Sequence, residues 1–313
     1  MSADPWRPWS PCSPVACVPA PAAVAGPVHR TARLIGALLV VLGGVPVSLA
    51  VCRAPAATRA EVTRVWARLL LRVLGVTISL TAVRAPVHPE PVGAGPVGAG
   101  QAGVGEVGAG QGGLETAGGG VLVVANHVSW LDPLVIAATL PSRPLAKREV
   151  ADWPVVRLLV AGAGALFIDR ERLSALPSAV AAVTSALRAG DTVVAFPEGT
   201  TWCGRGMGEF RPAVFQAAVD AGAAVRPATL RYREGEATSA RACYVGDDSL
   251  LASALRVAAT RRLTVEVTLF EPVRLAPTGR RPEARAALAG IAEARVRAHL
   301  YDRHGRAWAG EGV

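Results

Sequence analysis

The stretch VLVVANHVSWLDP, residues 121–133, joins an apolar run to a polar segment that leads into a second apolar run. Val121 to Ala125 has the composition of a buried β-strand and Leu131 to Leu140 that of a helix, so His127 is predicted to lie where a strand ends and a helix begins. In open α/β sheets, ligands bind at this carboxyl end of the strands. Taken alone, such a histidine is more typical of a partly buried residue that satisfies a turn. With Asp132 five residues later, however, it has the parts of a general base and its orienting group.

Short apolar strands alternate with helices along most of the chain. Strands are predicted over 76–83, 121–125, 144–147, 165–168, 192–196, 225–232 and 263–270. Helices are predicted over 131–140, 153–160, 174–188, 212–221 and 282–300. This alternation predicts an α/β fold, a mixed sheet flanked by helices, preceded by an N-terminal membrane-associating helical segment.

Composition divides the chain into three parts. Residues 1–28 are rich in proline and alanine and are predicted to form a disordered tail. Residues 29–75 are predicted to form membrane-associating helices, and residues 76–313 the α/β domain. Repeats of the VGAG type between 91 and 120 cannot bury a core, so they predict a Gly-rich loop inserted within that domain.

Residues 34–51, LIGALLVVLGGVPVSLAV, carry no charge. Their length is at the short limit for crossing a bilayer, which takes about 20 residues, and Pro46 interrupts them, so both a spanning and a half-inserted helix are open. The arginines that follow this segment outnumber those before it. We expect a cell-membrane protein, and if the segment spans, the positive-inside rule places the domain that follows it on the cytoplasmic side.

Residues 58–74 have the period of an amphipathic helix. The predicted apolar face comprises Val62, Val65, Trp66, Leu69, Leu70 and Val73, and Arg64, Arg68 and Arg72 recur every four residues on another face. Two interpretations are equally supported. The helix either lies in the lipid interface with its arginines at the head groups, or packs on the domain with its arginines in solvent.

The charge pattern favours a membrane surface over nucleic acid as the partner. The net charge is +9, and Lys147 is the single lysine among 33 basic residues. Aromatic residues make up 5% of the chain and do not alternate with basic ones as base-stacking proteins require. The five cysteines are scattered without a Cys-x-x-Cys pair, so we expect reduced thiols rather than a disulfide framework or a zinc knuckle.

Three later tracts also carry polar residues at predicted strand ends: ALFIDR (165–170), VVAFPEGTT (193–201) and VRPATLRY (225–232). The last has Pro227 inside a strand. Because proline cannot donate to a β-ladder, this position predicts an edge strand or a bulge.

Together these tracts resemble the glycerolipid acyltransferases, the family typified by 1-acyl-glycerol-3-phosphate acyltransferase. The family motifs match four groups of residues in order: Asn126, His127 and Asp132; Gly164, Phe167, Ile168 and Arg170; Phe196 through Thr200; and Val225 with Pro227. Lys147-Arg148-Glu149 resembles the family's basic segment between the first two motifs. The matched region covers about residues 121–232.

The resemblance implies transfer of a fatty acyl group from acyl-CoA or acyl carrier protein to the hydroxyl of a lysolipid, with no other cofactor. A metal enzyme is not expected, because His127 and Asp132 have no convergent third ligand in the sequence. In this scheme His127 takes the hydroxyl proton, Asp132 holds the other imidazole nitrogen, and the acceptor hydroxyl is the nucleophile. Ser129 is a rival nucleophile for a lipid ester hydrolase, but it is better interpreted as a helix cap. A membrane-binding scaffold with a degenerate site is a third, non-enzymatic alternative.

The resemblance also implies substrate-binding residues: Arg170, Glu198, Gly199, Thr200, Arg211 and Lys147. Arg170 would clamp a phosphate; its alternative is a surface ion pair. Glu198 would hydrogen-bond the acceptor or orient a basic group, or else only cap a loop, and Gly199 would permit close backbone approach.

One departure from the family pattern concerns the acceptor. Many relatives that use lysophosphatidate carry arginine directly after Phe-Pro-Glu-Gly-Thr, and this chain has Thr201 there. The expected product is phosphatidate, and a lyso-ornithine lipid or another lysolipid is the alternative acceptor.

Overall fold

The computed structural model describes residues 9–21, 23–83, 119–152, 154–169, 172–274 and 280–302. The helices are α1 (Pro14–Cys17), α2 (Pro27–Val51), α3 (Ala56–Leu74), α4 (Asp132–Thr139), α5 (Pro154–Gly162), α6 (Leu176–Arg188), α7 (Phe215–Ala221), α8 (Leu250–Ala259) and α9 (Arg281–Asp302). The strands are β1 (Val76–Ala82), β2 (Val121–Ala125), β3 (Arg143–Lys147), β4 (Leu166–Ile168), β5 (Thr192–Ala195), β6 (Ala224–Glu234), β7 (Ala237–Thr238) and β8 (Leu263–Leu269). Most of the predicted Gly-rich loop, and Arg170, lie outside the described residues.

The strands form one mixed sheet in the order β1-β8-β6-β2-β5-β3-β4. Strands β6, β2, β5, β3 and β4 run parallel to one another. Strand β8 is antiparallel to β6, β1 is parallel to β8, and β7 pairs with the end of β6. The predicted mixed α/β sheet flanked by helices is confirmed.

Strand β2 lies at the centre of the sheet, and both of its faces are buried. Val121, Val123 and Ala125 belong to one apolar core together with α3, α4 and α8. Leu122 and Val124 belong to a second core with α6, α7 and α9. An uninterrupted apolar run is the pattern of a strand covered on two sides, and this explains why the sequence of β2 has no polar alternation.

Pro227 lies in a central strand rather than an edge strand. It pairs with Val124 of β2, and β8 covers the other side of β6 from Ala228 onward. The carbonyl of Pro227 accepts from Phe270 N–H at 3.0 Å, just beyond the end of β8. On this side the pairing shifts by one residue, since Ala228 pairs with Leu269 and Val225 bridges to Val273. This shift is a bulge, the second of the two predicted alternatives, and Pro227 lies within it, so its missing donor costs the sheet little.

The N-terminal helices pack closely on one another and on the domain. A side chain at Gly44 of α2 would collide with the Trp66 ring of α3, and one at Gly162 of α5 would collide with Ser48. Small residues therefore permit these approaches. In α3, Arg68 Nε donates to the carbonyl of Ala138 at 2.7 Å. The packed interpretation of α3 holds for this face, although two residues of its predicted apolar stripe, Val65 and Leu69, are exposed.

The outer surface of α2 is apolar. The helix is continuous through Pro46. Among the described residues it is the one helix that is long and apolar enough to cross a membrane, and only 11% of its most apolar 18-residue stretch is buried. The exposed large apolar residues of α2 include Ile35, Leu38, Leu39, Leu42, Val47 and Leu49. An apolar surface of this extent is typical of a partner or membrane interface.

The described part of the predicted tail, residues 9–21 and 23–28, packs on the domain. Its chain forms the one-turn helix α1, buries Cys12, and makes an isolated bridge between Val24 and Thr260. Arg241 Nη1 also donates to the carbonyl of Pro19 at 3.2 Å. These contacts are made with residues more than 200 positions away, and local composition carries no signal for them. Helix α8 and strand β7 were likewise not predicted.

Candidate active site

The parallel pairing of β2 and β5 brings two of the motifs to the same edge of the sheet. Val124 is paired with Ala195, so the residues that follow each strand leave the sheet side by side. The imidazole of His127 stacks on the ring of Phe196, with centroids 4.2 Å apart and an interplanar angle of 16°. The stacking sets the plane of the imidazole, while 15% of the His127 side chain stays exposed.

His127 and Asp132 form the predicted pair. The Nδ1 atom of His127 lies 2.8 Å from Oδ2 of Asp132, whose side chain is fully buried. The same oxygen accepts from the backbone N–H groups of Val128 at 2.6 Å and Ser129 at 2.8 Å. Asp132 stands in the first turn of α4, where the helix dipole favours a negative charge. The buried carboxylate is therefore stabilised where it stands, and because it occupies Nδ1 of His127, Nε2 is the ring nitrogen left for another partner.

Tyr232, which the sequence did not indicate, completes the environment of Asp132. Its hydroxyl donates to Oδ1 of Asp132 at 2.7 Å. Burial, followed by the charge of Asp132, raises the pKa of this tyrosine well above its usual value, so the hydroxyl remains a donor at physiological pH. An alternating pattern along β6 assigns Tyr232 to the core, but no local signal identifies its partner.

Asn126 holds β2 and β6 together at the base of the site. Its side-chain amide donates to the carbonyl of Leu230 at 2.9 Å and accepts from the N–H of Leu230 at 2.8 Å. The side chain thus continues the ladder where the strand β2 stops. These two bonds fix the position of β6 along β2, and so the position of Tyr232, two residues after Leu230, relative to His127.

Glu198 supports the backbone on which His127 stands. Its Oε1 accepts from the N–H of His127 at 2.7 Å, and its Oε2 accepts from the N–H of Gly208 at 2.8 Å. Only 4% of the residue is exposed, and burial raises the pKa of the carboxyl to about 8. With each carboxyl oxygen already accepting from a backbone N–H, the geometry favours the loop-supporting role among those considered for this residue.

The turn after β5 has the shape that its glycine allows. Gly199 has φ +75° and donates its N–H to the carbonyl of Phe196 at 3.1 Å. That conformation strains any residue with a side chain. Thr200 follows in the same turn, and the N–H of Arg211 donates to the carbonyl of Pro197 at 3.0 Å. The structure therefore brings the backbone of Arg211 beside this loop, although Arg211 comes 11 residues after Thr200 in the sequence.

Lys147 ends β3, at the same carboxyl edge. Its ammonium lies 3.0 Å from a carboxylate oxygen of Glu149, and 43% of each side chain is exposed. Strand β4, whose end precedes Arg170, pairs with β3 at the edge of the sheet.

Two hydroxyls near the site have protein partners. Ser129 is fully buried; its Oγ accepts from the N–H of Leu131 at 3.2 Å, in the turn before α4, and its hydroxyl also bonds to Tyr232. The N-cap of α4 is Leu131, so Ser129 supports the preceding turn and is not the predicted helix cap. Thr201 donates its hydroxyl to the carbonyl of Tyr244. The Thr201 side chain therefore fastens a neighbouring loop, and the position that carries arginine in the family pattern adds no charge here.

Comparison with known proteins gives a consistent family assignment. A family model described as Acyltransferase matches residues 111–231. A 1-acyl-sn-glycerol-3-phosphate acyltransferase of Neisseria gonorrhoeae is 41% identical over 150 residues, which are 47% of this chain and 58% of that protein. A lyso-ornithine lipid O-acyltransferase of Brucella abortus is 33% identical over 194 residues, which are 58% of this chain and 71% of that protein.

A solved structure shares the fold. The 1-acyl-sn-glycerophosphate acyltransferase PlsC from Thermotoga maritima superposes with a TM-score of 0.57, covers 89% of this chain and 96% of that one, and is 16% identical. At this identity the likeness concerns the fold alone. It agrees with the mixed α/β sheet described above.

Proposed function

This chain belongs to the lysolipid acyltransferase family, and we propose that it transfers a fatty acyl group from a thioester, acyl-CoA or acyl carrier protein, to the hydroxyl of a lysolipid. The observation that carries the proposal is the contact between His127 Nδ1 and buried Asp132 at the carboxyl end of the central strand. Because Nδ1 is occupied, Nε2 is left to exchange a proton with the substrate.

The proposed reaction needs no protein nucleophile. Nε2 of His127 takes the proton of the acceptor hydroxyl as its oxygen attacks the thioester carbonyl. The tetrahedral intermediate then collapses, the carbon–sulfur bond breaks, and the imidazolium returns the proton to the leaving thiolate. Asp132 remains ionised and stabilises the imidazolium between these steps.

The reaction is proposed to take place at a membrane, with the catalytic domain on the cytoplasmic side. The apolar outer surface of α2 supports the membrane location, since it is broad and adjacent to the packed helices α3 and α5. The larger number of arginines after residues 34–51 than before them supports the cytoplasmic side. A lysolipid could then reach the site without leaving the lipid surface.

The proposed acceptor is 1-acyl-glycerol-3-phosphate, which would yield phosphatidate. Three basic residues support an anionic acceptor: Lys147 and Arg211, which lie at the edge of the sheet that carries His127, and Arg170, which follows β4 in the sequence. The Neisseria relative, 41% identical, is named for this acceptor.

Lyso-ornithine lipid is the second candidate acceptor, and Thr201 favours it. The hydroxyl of Thr201 is bound to the carbonyl of Tyr244, so this position offers no cation to a phosphate. The Brucella relative, of which the chain spans 71%, is named for the lyso-ornithine acceptor.

An acceptor panel tests the proposal. Full-length protein in detergent is given one acyl-CoA, or the same acyl group on carrier protein, with either lysophosphatidate or lyso-ornithine lipid, and both the released thiol and the acylated product are measured. We expect phosphatidate to form, and His127→Ala to abolish it while the matched variant His29→Ala keeps it. Product from lyso-ornithine lipid alone selects the second candidate, and no acylated lipid with either acceptor refutes both.

Ser129→Ala separates transfer from hydrolysis. A lipid ester hydrolase that uses this serine would lose its activity, whereas the proposed transferase keeps most of its turnover, since Ser129 supports the turn before α4 and the Tyr232 hydroxyl without taking part in the proposed reaction. Loss of thioester cleavage in Ser129→Ala with intact folding, measured by circular dichroism, would contradict the proposed mechanism.

A further inference from the structure

Three cysteine thiols that are scattered in the sequence meet in the structure. The sulfur atoms of Cys12, Cys17 and Cys203 lie within 4.8 Å of one another. Cys12 and Cys203 are buried and Cys17 is partly buried. Cys12 lies just before the one-turn helix α1, Cys17 is the last residue of that helix, and Cys203 follows the turn that carries Glu198. The cluster therefore joins the N-terminal segment to a loop of the candidate active site.

The chain turns tightly where it presents the sulfur of Cys12, since the N–H of Cys12 donates to the hydroxyl oxygen of Ser10 at 3.3 Å. Cys12, Cys17 and Cys203 form no disulfide in the structure. All three sulfur atoms are therefore available as ligands at the place where they converge, and thiolates are the ligands that soft cations prefer.

We propose that Cys12, Cys17 and Cys203 together bind one thiophilic cation, Zn²⁺ or Cu⁺. In a tetrahedral site with metal–sulfur bonds of about 2.3 Å, the sulfur atoms stand about 3.8 Å apart, so the observed cluster needs to contract by only about 1 Å. The three converging ligands are all sulfur, a set that selects soft cations over Mg²⁺ or Ca²⁺. Binding releases the thiol protons to solvent, and the fourth position is left for water or another ligand.

The bound cation would act as a cross-link and would not touch the reacting atoms. The N–H of Trp202, next to Cys203, donates to the carbonyl of His127 at 2.8 Å. Fixing Cys203 therefore fixes the loop against which His127 stands. At the other end of the N-terminal segment, the N–H of Ala25 donates to the carbonyl of Ala259 at 2.8 Å. The metal would therefore link the N-terminal segment, already bonded to the domain at Ala25, to the loop that contacts His127.

Cobalt titration tests the site directly. Full-length untagged protein, reduced and freed of metal by chelation, is titrated anaerobically with Co²⁺, and the thiolate-to-cobalt charge-transfer band is followed. We expect one equivalent of Co²⁺ to bind. Zn²⁺ and Cu⁺, added in separate titrations, should each displace the bound Co²⁺, and the ion that does so at the lower concentration is the preferred one. Cys17→Ser, the least buried of the three ligands, should weaken binding at least about 100-fold, and Cys52→Ser, an exposed thiol outside the cluster, should leave it unchanged.

Two measurements on the unmodified protein keep the proposal testable if a cysteine variant fails to fold. X-ray absorption at the zinc edge should show about three sulfur neighbours near 2.3 Å, and the metal should raise the unfolding temperature. A reduced protein without a charge-transfer band, or a purified protein whose mass shows a disulfide among these cysteines, overturns the proposal. Neither result depends on the acyl-transfer assay, so the site and the proposed function can fail separately.

Discussion

Tyr232 and Asp132 are 100 residues apart in the chain, and the tyrosine hydroxyl donates to the aspartate at 2.7 Å in the core. This bond ties the carboxylate of the candidate dyad to β6, while the backbone N–H groups of Val128 and Ser129 bind its other oxygen. Asp132 is thereby held between the helix that carries it and a strand that reaches the site from the opposite side. Its orientation toward His127 depends on both.

Tyr232→Phe removes that bond and leaves the ring in place. We expect kcat to fall by about 10-fold with little change in KM, because a hydrogen bond to a charged group contributes about 1.5–3 kcal/mol and only part of it is specific to the transition state. Steady-state acylation kinetics across pH measure the effect, and Tyr244→Phe, whose described contacts are made by its backbone, is the matched control. Equal kinetics for both variants would show that Tyr232 does not position Asp132.

Glu198→Gln should change how stability depends on pH. The pKa of Glu198 is raised from 4.5 to about 8 by burial, so folding favours its protonated form. The stabilisation is complete below about pH 4.5 and is lost as pH rises through 8. Chemical denaturation between pH 6 and 9 should therefore show a steeper loss of stability in the unmodified protein than in Glu198→Gln.

The two proteins are compared by the slope of unfolding free energy against pH. Their absolute stabilities differ for another reason, because the glutamine amide N–H faces one of the two backbone N–H groups from which Glu198 accepts. Glu209→Gln, at an exposed position in the same loop, should retain the unmodified slope. Parallel stability profiles for the unmodified protein and Glu198→Gln would refute the assigned titration.

Asn126→Ala should destabilise the fold by about 2–4 kcal/mol, because it leaves the buried N–H and C=O of Leu230 without their partner. Equilibrium unfolding in urea measures this loss. Gln216→Ala, which removes an amide bonded to Asp220 at a helix surface, should cost less than about 0.5 kcal/mol. A similar small cost at Asn126 would mean that the two strands do not depend on its side chain.

The outer surface of α2 should bind lipid. Replacing Leu38, Leu39 and Leu42, which are at least half exposed, with serine should weaken co-flotation with anionic vesicles by at least about 10-fold, since each leucine withdrawn from lipid forfeits about 1.5–3 kcal/mol. Leu251→Ser, at an exposed position of α8, is expected to float as the unmodified protein does. Undiminished flotation of the triple variant would locate lipid binding elsewhere.

The local features of this protein were determined by its sequence. The apolar run that forms β2, the polar residues directly after it, and the order of the four motifs were sufficient to predict the α/β fold, the strand-end position of His127 and its pairing with Asp132. The strand, the turn after it and the His127–Asp132 pair each depend on residues within about ten positions of one another, where period and turn chemistry act directly. The fold class followed from the repetition of such local patterns along the chain.

Tertiary structure alone decided what comes from far along the chain. Tyr232 and Leu230 reach the site because β6 pairs with β2, Pro227 is tolerated in a central strand because β8 ends beside it, and Cys12 meets Cys203 because the N-terminal segment packs on the domain. Side-chain burial and hydrogen-bond partners are set by which surfaces are brought together, and no local pattern in one sequence encodes a contact between residues 100 or more positions apart.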